Sequence, residues 1–137
     1  MKVLHLSSER NWRGGEQQIA YLIGELEQKG VENFVACRRN SAFEKYCKQH
    51  HISFITPAFA NEFDVFSAWE IRNFCKEFSI DIVHMHSGHS HAIGVWSSLL
   101  GNLARLILSR RVDFPIKNNW FSKFKYNYSK IERIVCV

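Results

Sequence analysis

The sequence predicts an α/β domain built on a doubly wound parallel sheet. Short apolar runs alternate with longer segments of helical periodicity along the whole chain. The crossovers between runs are long enough to hold helices, as parallel strands require. There is no internal repeat and no low-complexity linker, so the 137 residues read as one domain, 1–137.

Each element has its own justification. Lys2 to Leu6 is a short β-permissive run that ends in polar turn material. The turn from Ser7 to Gly15 contains Gly14-Gly15, and Ile19, Leu22, Ile23 and Leu26 then follow at i, i+3, i+4 and i+7, one helical face. Gly30 stands where that helix should stop. Phe34 to Cys37 is a compact second strand. Ser41 with Glu44 forms a capping-box signature, which predicts a helix from Ala42 to about His50. Ile52 to Ile55 reads as a third strand halted near Pro57, with loop from 57 to 66. Ser67 with Glu70 is a second capping-box signature, opening a helix whose apolar face is Ile71, Phe74, Cys75 and Phe78. Ile80 to Met85 is a fourth strand, Ala92 to Leu100 a helix, Leu106 to Leu108 a fifth strand and Ile131 to Val137 a sixth.

Composition narrows the classes. Hydrophobic content of 46% and aromatic content of 14% fit a folded globular domain and exclude a disordered one. No apolar run approaches the roughly 18 to 20 residues that cross a bilayer. Polar residues follow Leu6 at once, so the N-terminus lacks the apolar core of a secretory signal. Cys37, Cys47, Cys75 and Cys136 are widely spaced with no C-x-x-C pair, which predicts reduced thiols and a cytoplasmic setting, with peripheral contact at an inner membrane surface as an option. The net charge of +5 fits an anionic partner (a phosphorylated substrate, a membrane surface or nucleic acid) and equally an ordinary basic surface.

Ligands of parallel α/β sheets gather outside the carboxyl ends of the strands, so the loops there are the place to look for chemistry. Trp12-Arg13-Gly14-Gly15-Glu16 follows the first strand; adjacent glycines let backbone approach a ligand, and a helix start offers N–H groups to anions. It is neither G-x-G-x-x-G nor a P-loop, which disfavours dinucleotide binding and P-loop phosphate hydrolysis. Asp81 to Gly88, followed by His89 and His91, places His84 and His86 on one face of a strand, with His86 nearest its carboxyl end. Four imidazoles in eight residues could bind metal, but no neighbouring Cys or acidic pair completes a set, so no metal is expected and His84, His89 and His91 read as structural. Ser109-Arg110-Arg111-Val112-Asp113-Phe114-Pro115 offers two arginines for bidentate contacts to phosphate or carboxylate. From Lys117 to Arg133 basic and aromatic residues interleave, as in an amphipathic helix, a membrane-facing surface or a single-strand nucleic-acid platform.

Taken in order, several of these segments resemble the N-terminal domain of the family 4 glycosyltransferases, retaining enzymes of the GT-B fold. The carrying residues are Met1 to Leu6, Gly14-Gly15-Glu16, Asp81 to His86, Ser109 to Pro115, Lys125-Tyr126 and Ile131 to Val137. The resemblance implies a Rossmann-like domain on the acceptor side of a two-domain enzyme. It implies a nucleotide-sugar donor as substrate, a sugar or lipid-linked hydroxyl acceptor, and no separate cofactor. It places Gly14 and Gly15 near the donor phosphates and the acceptor, and His86 against the transferred sugar. Arg111 stands where the family often has a histidine, with Arg110 beside it, and Glu16 follows the glycines directly where many members have one residue between. The family's nucleotide-sugar site and Glu-x7-Glu motif belong to a C-terminal domain, so the expectation is a chain that is inactive without that domain. Two other classes compete: a non-catalytic module for an anionic membrane surface or nucleic acid, built on Lys117 to Arg133, and a sugar epimerase of related two-domain type. Nucleic acid is not the expected partner.

Overall fold

The structure, a computed structural model, describes residues 1–110, 128, 129 and 131–136. Strands and helices alternate in chain order: β1 Lys2–Leu6, α1 Gly14–Gln28, β2 Glu32–Ala36, α2 Ala42–Gln49, β3 Ser53–Ile55, α3 Val65–Phe78, β4 Ile82–Met85, α4 Gly88–Leu99, β5 Arg105–Arg110 and β6 Ile131–Cys136. The sheet runs β3-β2-β1-β4-β5-β6, and every neighbouring pair is parallel. The chain winds outward from β1 to β3, returns, and winds the other way from β4. The order therefore reverses between β1 and β4, and the crevice at such a reversal is where parallel sheets bind ligands.

Strand parity builds the two layers. Leu4, Leu6, Val83 and Met85 bury against Ile71 of α3 and Ile93 of α4 on one face. Val35 and Cys37 bury against Ile19 and Ile23 of α1 and Phe43 of α2 on the other. Each fully buried side chain of this size contributes about 1.5–3 kcal/mol relative to exposure. Residues between those of the first set, His5 among them, face the α1/α2 side.

Capping accounts for the boundaries. Glu44 donates its backbone N–H to Ser41 Oγ at 3.2 Å, as the capping signature predicts, and Gly30 takes φ of +80° just past the end of α1. The second signature resolves differently. Asp64 is the N-cap of α3, its Oδ1 accepting the Ser67 N–H at 3.0 Å, so the helix begins inside the expected loop. Ser67 sits within the first turn, donates its hydroxyl to Asp64 Oδ2 at 2.7 Å and accepts the Phe59 N–H at 3.1 Å. Asp64 wins because a carboxylate offers two strong acceptors where a hydroxyl offers one. β4 starts at Ile82 rather than Ile80, and β5 extends to Arg105–Arg110. α4 starts at Gly88 rather than Ala92: the Ser87 N–H donates to Ser90 Oγ at 2.8 Å, a serine pair closing the turn in the midst of a polar run that conceals the helix start.

Candidate functional site

The reversal point gathers the polar residues of the sheet. Leu6 of β1 pairs with Met85 of β4, and the His86 N–H donates to the Leu6 carbonyl at 3.1 Å, carrying the pairing one residue beyond the strand. On the α1/α2 face a polar seam then crosses four strands. Asn33 of β2 meets His5 of β1, His5 meets His86 beyond β4, and His84 of β4 meets Ser109 of β5 with Nε2 and Oγ 2.6 Å apart. His5 and His84 are directly registered partners, and the His84 and His86 ring centroids are 3.9 Å apart.

The seam dictates a proton arrangement. Asn33 Nδ2 donates to the Val31 carbonyl at 3.1 Å, which turns Oδ1 toward His5 Nε2 at 2.9 Å. An amide oxygen only accepts, so His5 carries its proton on Nε2. His5 is fully buried, and desolvation lowers its pKa to about 4 against a smaller upward push from Asn33. At neutral pH the ring thus has one proton, and His5 Nδ1 is a lone pair. His86 Nε2, 3.1 Å away, must then donate.

The loops above the rim are tied together. Arg38, just past β2, donates Nε to the Ser8 carbonyl at 2.6 Å, Nη1 to the Ala58 carbonyl at 3.2 Å and Nη2 to the Phe59 carbonyl. One guanidinium therefore joins the β1–α1 and β3–α3 connections. Ser8 Oγ lies 2.6 Å from Ser87 Oγ, which donates to Ser90 Oγ at 2.9 Å, so the first turn of α4 is joined to the same knot.

The sequence-selected residues distribute unevenly. His86 is buried at the rim of the sheet, at 8% exposure. Gly14 and Gly15 are the first residues of α1, and a Cβ placed on Gly14 meets nothing within 4 Å, so the space above it is open. Glu16 is buried, and its Oε2 accepts the Arg13 N–H at 2.9 Å, which assigns that oxygen to the helix start. Arg110 closes β5, but its side chain, all of Arg111 and the segment 111–127 lie outside the described residues. His91 is on the buried face of α4 and His89, in the same turn, is exposed. Sequence reading missed His5 and Asn33. Their signal was a polar residue at a core-facing parity in each of two strands, which becomes informative only once β1 is known to lie between β2 and β4.

Among the described residues, His5, His84 and His86 form the one group whose ligand nitrogens approach closely enough for a metal ion, within 4.8 Å of one another. The lone pair on His5 Nδ1 that an ion would need is engaged by His86 Nε2. A cavity of about 550 Å³ opens at the amino end of the sheet, between Arg72, Cys75, Asp81 and Asn102. Its size does not make it the better candidate, because it faces the strand ends where parallel sheets rarely bind ligands. Burial pushes the Cys75 thiol up to about 12, so it offers no nucleophile there. No helix among the described residues is long and apolar enough to cross a membrane.

Residues 12–137 match the sequence profile of Glycosyltransferase Family 4. No curated protein sequence matches the chain. Among solved structures it is similar to a glycosyltransferase from Rickettsia africae, with a TM-score of 0.75 and 19% identity over 99% of this chain and 36% of that one. It is also similar to MurG from Acinetobacter baumannii, with a TM-score of 0.73 and 12% identity over 99% and 41%. HepE from Anabaena, solved with UDP and glucose, gives a TM-score of 0.63 and 16% identity over 80% and 29%. The chain thus spans less than half the length of each of these proteins.

Proposed function

The chain belongs to glycosyltransferase family 4, and from that premise we propose that it forms the acceptor-side half of an enzyme that moves a sugar from a nucleotide-sugar donor to a hydroxyl acceptor. The observation that carries this reading is His86, set at the β1/β4 reversal on the sheet edge from which α1 also starts, with its Nε2 proton held by His5.

In this reading the acceptor oxygen bonds to the anomeric carbon while the nucleoside diphosphate leaves with the bonding pair and its freed phosphate oxygen takes up the hydroxyl proton. His86 hydrogen-bonds a hydroxyl of the transferred sugar and so orients it. Gly14 and Gly15 form the cleft floor, and the open space above Gly14 suits a bulky ligand. The positive ends of α1 and α4 lie at the same rim and offset charge developing on the leaving diphosphate, which calls for no metal. Arg110 and Arg111 hold the acceptor. The nucleotide site and the Glu-x7-Glu pair come from a second domain, and the acceptor is a glycan or lipid-linked hydroxyl at the cytoplasmic side of a membrane. The likeness to HepE with bound UDP and glucose supports the nucleotide-sugar assignment.

The test is His86→Ala in the full-length protein, assayed for sugar transfer with circular dichroism as the fold control. Turnover should fall about a hundredfold, the usual effect of removing one positioned hydrogen-bonding group. Unchanged turnover with an intact fold would take His86 out of the mechanism.

A further inference from the structure

Along the chain His84 and His86 lack a third ligand beside them, and the strand order supplies it, because His5 lies opposite His84 in the β1–β4 register. The ligand nitrogens of the three rings all lie within 4.8 Å of one another. His5 Nδ1 and His86 Nε2 are 3.1 Å apart, close to the separation of about 3.3 Å between two nitrogens bound tetrahedrally to one zinc ion. Bringing the widest pair onto the same ion takes at most about 1.5 Å of ring movement. His84, half-buried where the other two rings are buried, is the least confined of the three.

The surroundings have the form of a metal site's outer shell, in which a bound histidine donates its other ring N–H to a fixed acceptor. His5 Nε2 donates to Asn33 Oδ1 at 2.9 Å, and Asn33 Nδ2 is itself anchored on the Val31 carbonyl at 3.1 Å. His5 therefore turns the lone pair of Nδ1 toward the other two rings. Ser109 Oγ, 2.6 Å from His84 Nε2, both donates and accepts, so it accommodates either neutral tautomer of that ring. The hydrogen bond between His5 and His86 does not bar an ion. A neutral His86 that ligates through Nε2 carries its proton on Nδ1, so the ion replaces the bridging proton with no change in ring charge.

We propose that His5, His84 and His86 form a binding site for a divalent cation of the zinc class, with water as the fourth ligand. Three imidazoles without a carboxylate select zinc, cobalt(II) or nickel over magnesium and calcium, which take oxygen ligands. The ion is not a cofactor of sugar transfer but a competitor of it, because an ion on His86 removes that ring from the sugar hydroxyl. Inhibition rests on the transferase reading; binding does not.

The experiment takes full-length protein stripped of metal with EDTA and titrates it with cobalt(II), zinc and magnesium. It is repeated on His84→Gln, on His5→Gln and on H50Q/H51Q, a pair of exposed histidines, with circular dichroism checking each fold. Cobalt(II) should give the intense visible bands of tetrahedral coordination, and zinc but not magnesium should displace it. The zinc dissociation constant should rise at least tenfold in His84→Gln and in His5→Gln, and stay within twofold in H50Q/H51Q. If the fully buried His5 position does not tolerate glutamine, His84→Gln decides alone. Equal zinc affinity in His84→Gln and unsubstituted protein overturns the site, as does a loss confined to H50Q/H51Q. The weak bands of octahedral cobalt(II), or displacement by magnesium, overturn the nitrogen ligand set. Zinc should inhibit sugar transfer at the concentration where it binds, and the inhibition should weaken in His84→Gln by the same factor as binding. Transfer that continues with the site filled removes His86 from the sugar, and the cobalt spectrum still decides the metal site.

Discussion

His5 Nδ1 lies 3.1 Å from His86 Nε2, and of the two rings His86 is the donor, because His5 has already committed its single proton to Asn33. A residue buried in the first strand thereby sets which nitrogen of a rim histidine points its proton inward.

The tautomer can be read directly. In histidine-labelled protein at neutral pH, two-bond ¹H–¹⁵N correlations should show both His5 and His86 protonated at Nε2. Asn33→Ala should remove the anchor at a cost of about 1–3 kcal/mol in stability, since a buried imidazole N–H loses its partner. A His86 signal showing protonation at Nδ1 in the unsubstituted protein would sink the relay.

His5 also makes stability depend on pH. Its folded pKa of about 4 lies below the unfolded value of 6.5, so between these limits the unfolded chain binds more protons. Stability from this group is complete above pH 6.5 and is lost as pH falls toward 4, by about 3 kcal/mol in all. Denaturant titrations should show that slope, and the difference between unsubstituted protein and His5→Gln isolates it from carboxylate effects. Parallel curves for the two proteins would refute the assignment.

Asp64 also loses its contribution on acidification, but here the fold favours the charged form. Burial alone would raise its pKa, but hydrogen bonds from Ala60, Ser67 and Phe66 outweigh it and hold the carboxyl below its ordinary value. A depressed carboxylate stabilises the fold above its unfolded pKa, and this contribution disappears as pH falls through the folded one. Asp64→Ala should cost about 1 kcal/mol, within the range for lost N-caps, and Asp64→Asn less. Thermal melts at neutral pH distinguish the two variants.

Gly94 of α4 tests the packing between that helix and the sheet. A Cβ there would overlap the sulfur of Met85, with Leu6 Cδ1 3.6 Å away. Gly94→Ala should destabilise by about 1–3 kcal/mol through overpacking, and its cost should be smaller in a Met85→Ala background. Strict additivity of the two substitutions would show that the contact is not the cause.

Much of this architecture was legible in the sequence because apolar period and turn chemistry agree. Ile19, Leu22, Ile23 and Leu26 could only face one way on a helix, and Ser41 with Glu44 carried its own cap. The misplaced starts of α3 and α4 share a physical reason. Asp64 caps by accepting from Ser67 and Ser87 caps through its pair with Ser90, and nothing local ranks Asp64 above Ser67 or separates Ser87 from a loop. The position of His86 was legible because it follows an apolar strand to the carboxyl edge of the sheet. His5 and Asn33 could not, since their partnership with His86 depends on the strand order β2-β1-β4.

The carbonyl knot at Arg38 bears on how such a domain can be re-engineered. Loop grafting commonly treats each connection on a parallel sheet as an interchangeable cassette. Here the segments at Ser8 and at Ala58–Phe59 share one cation, so a transplant that replaces either without its carbonyl leaves guanidinium hydrogens stranded. Donor loops would have to be taken from a single parent as a matched set, with the residue at position 38 travelling alongside them.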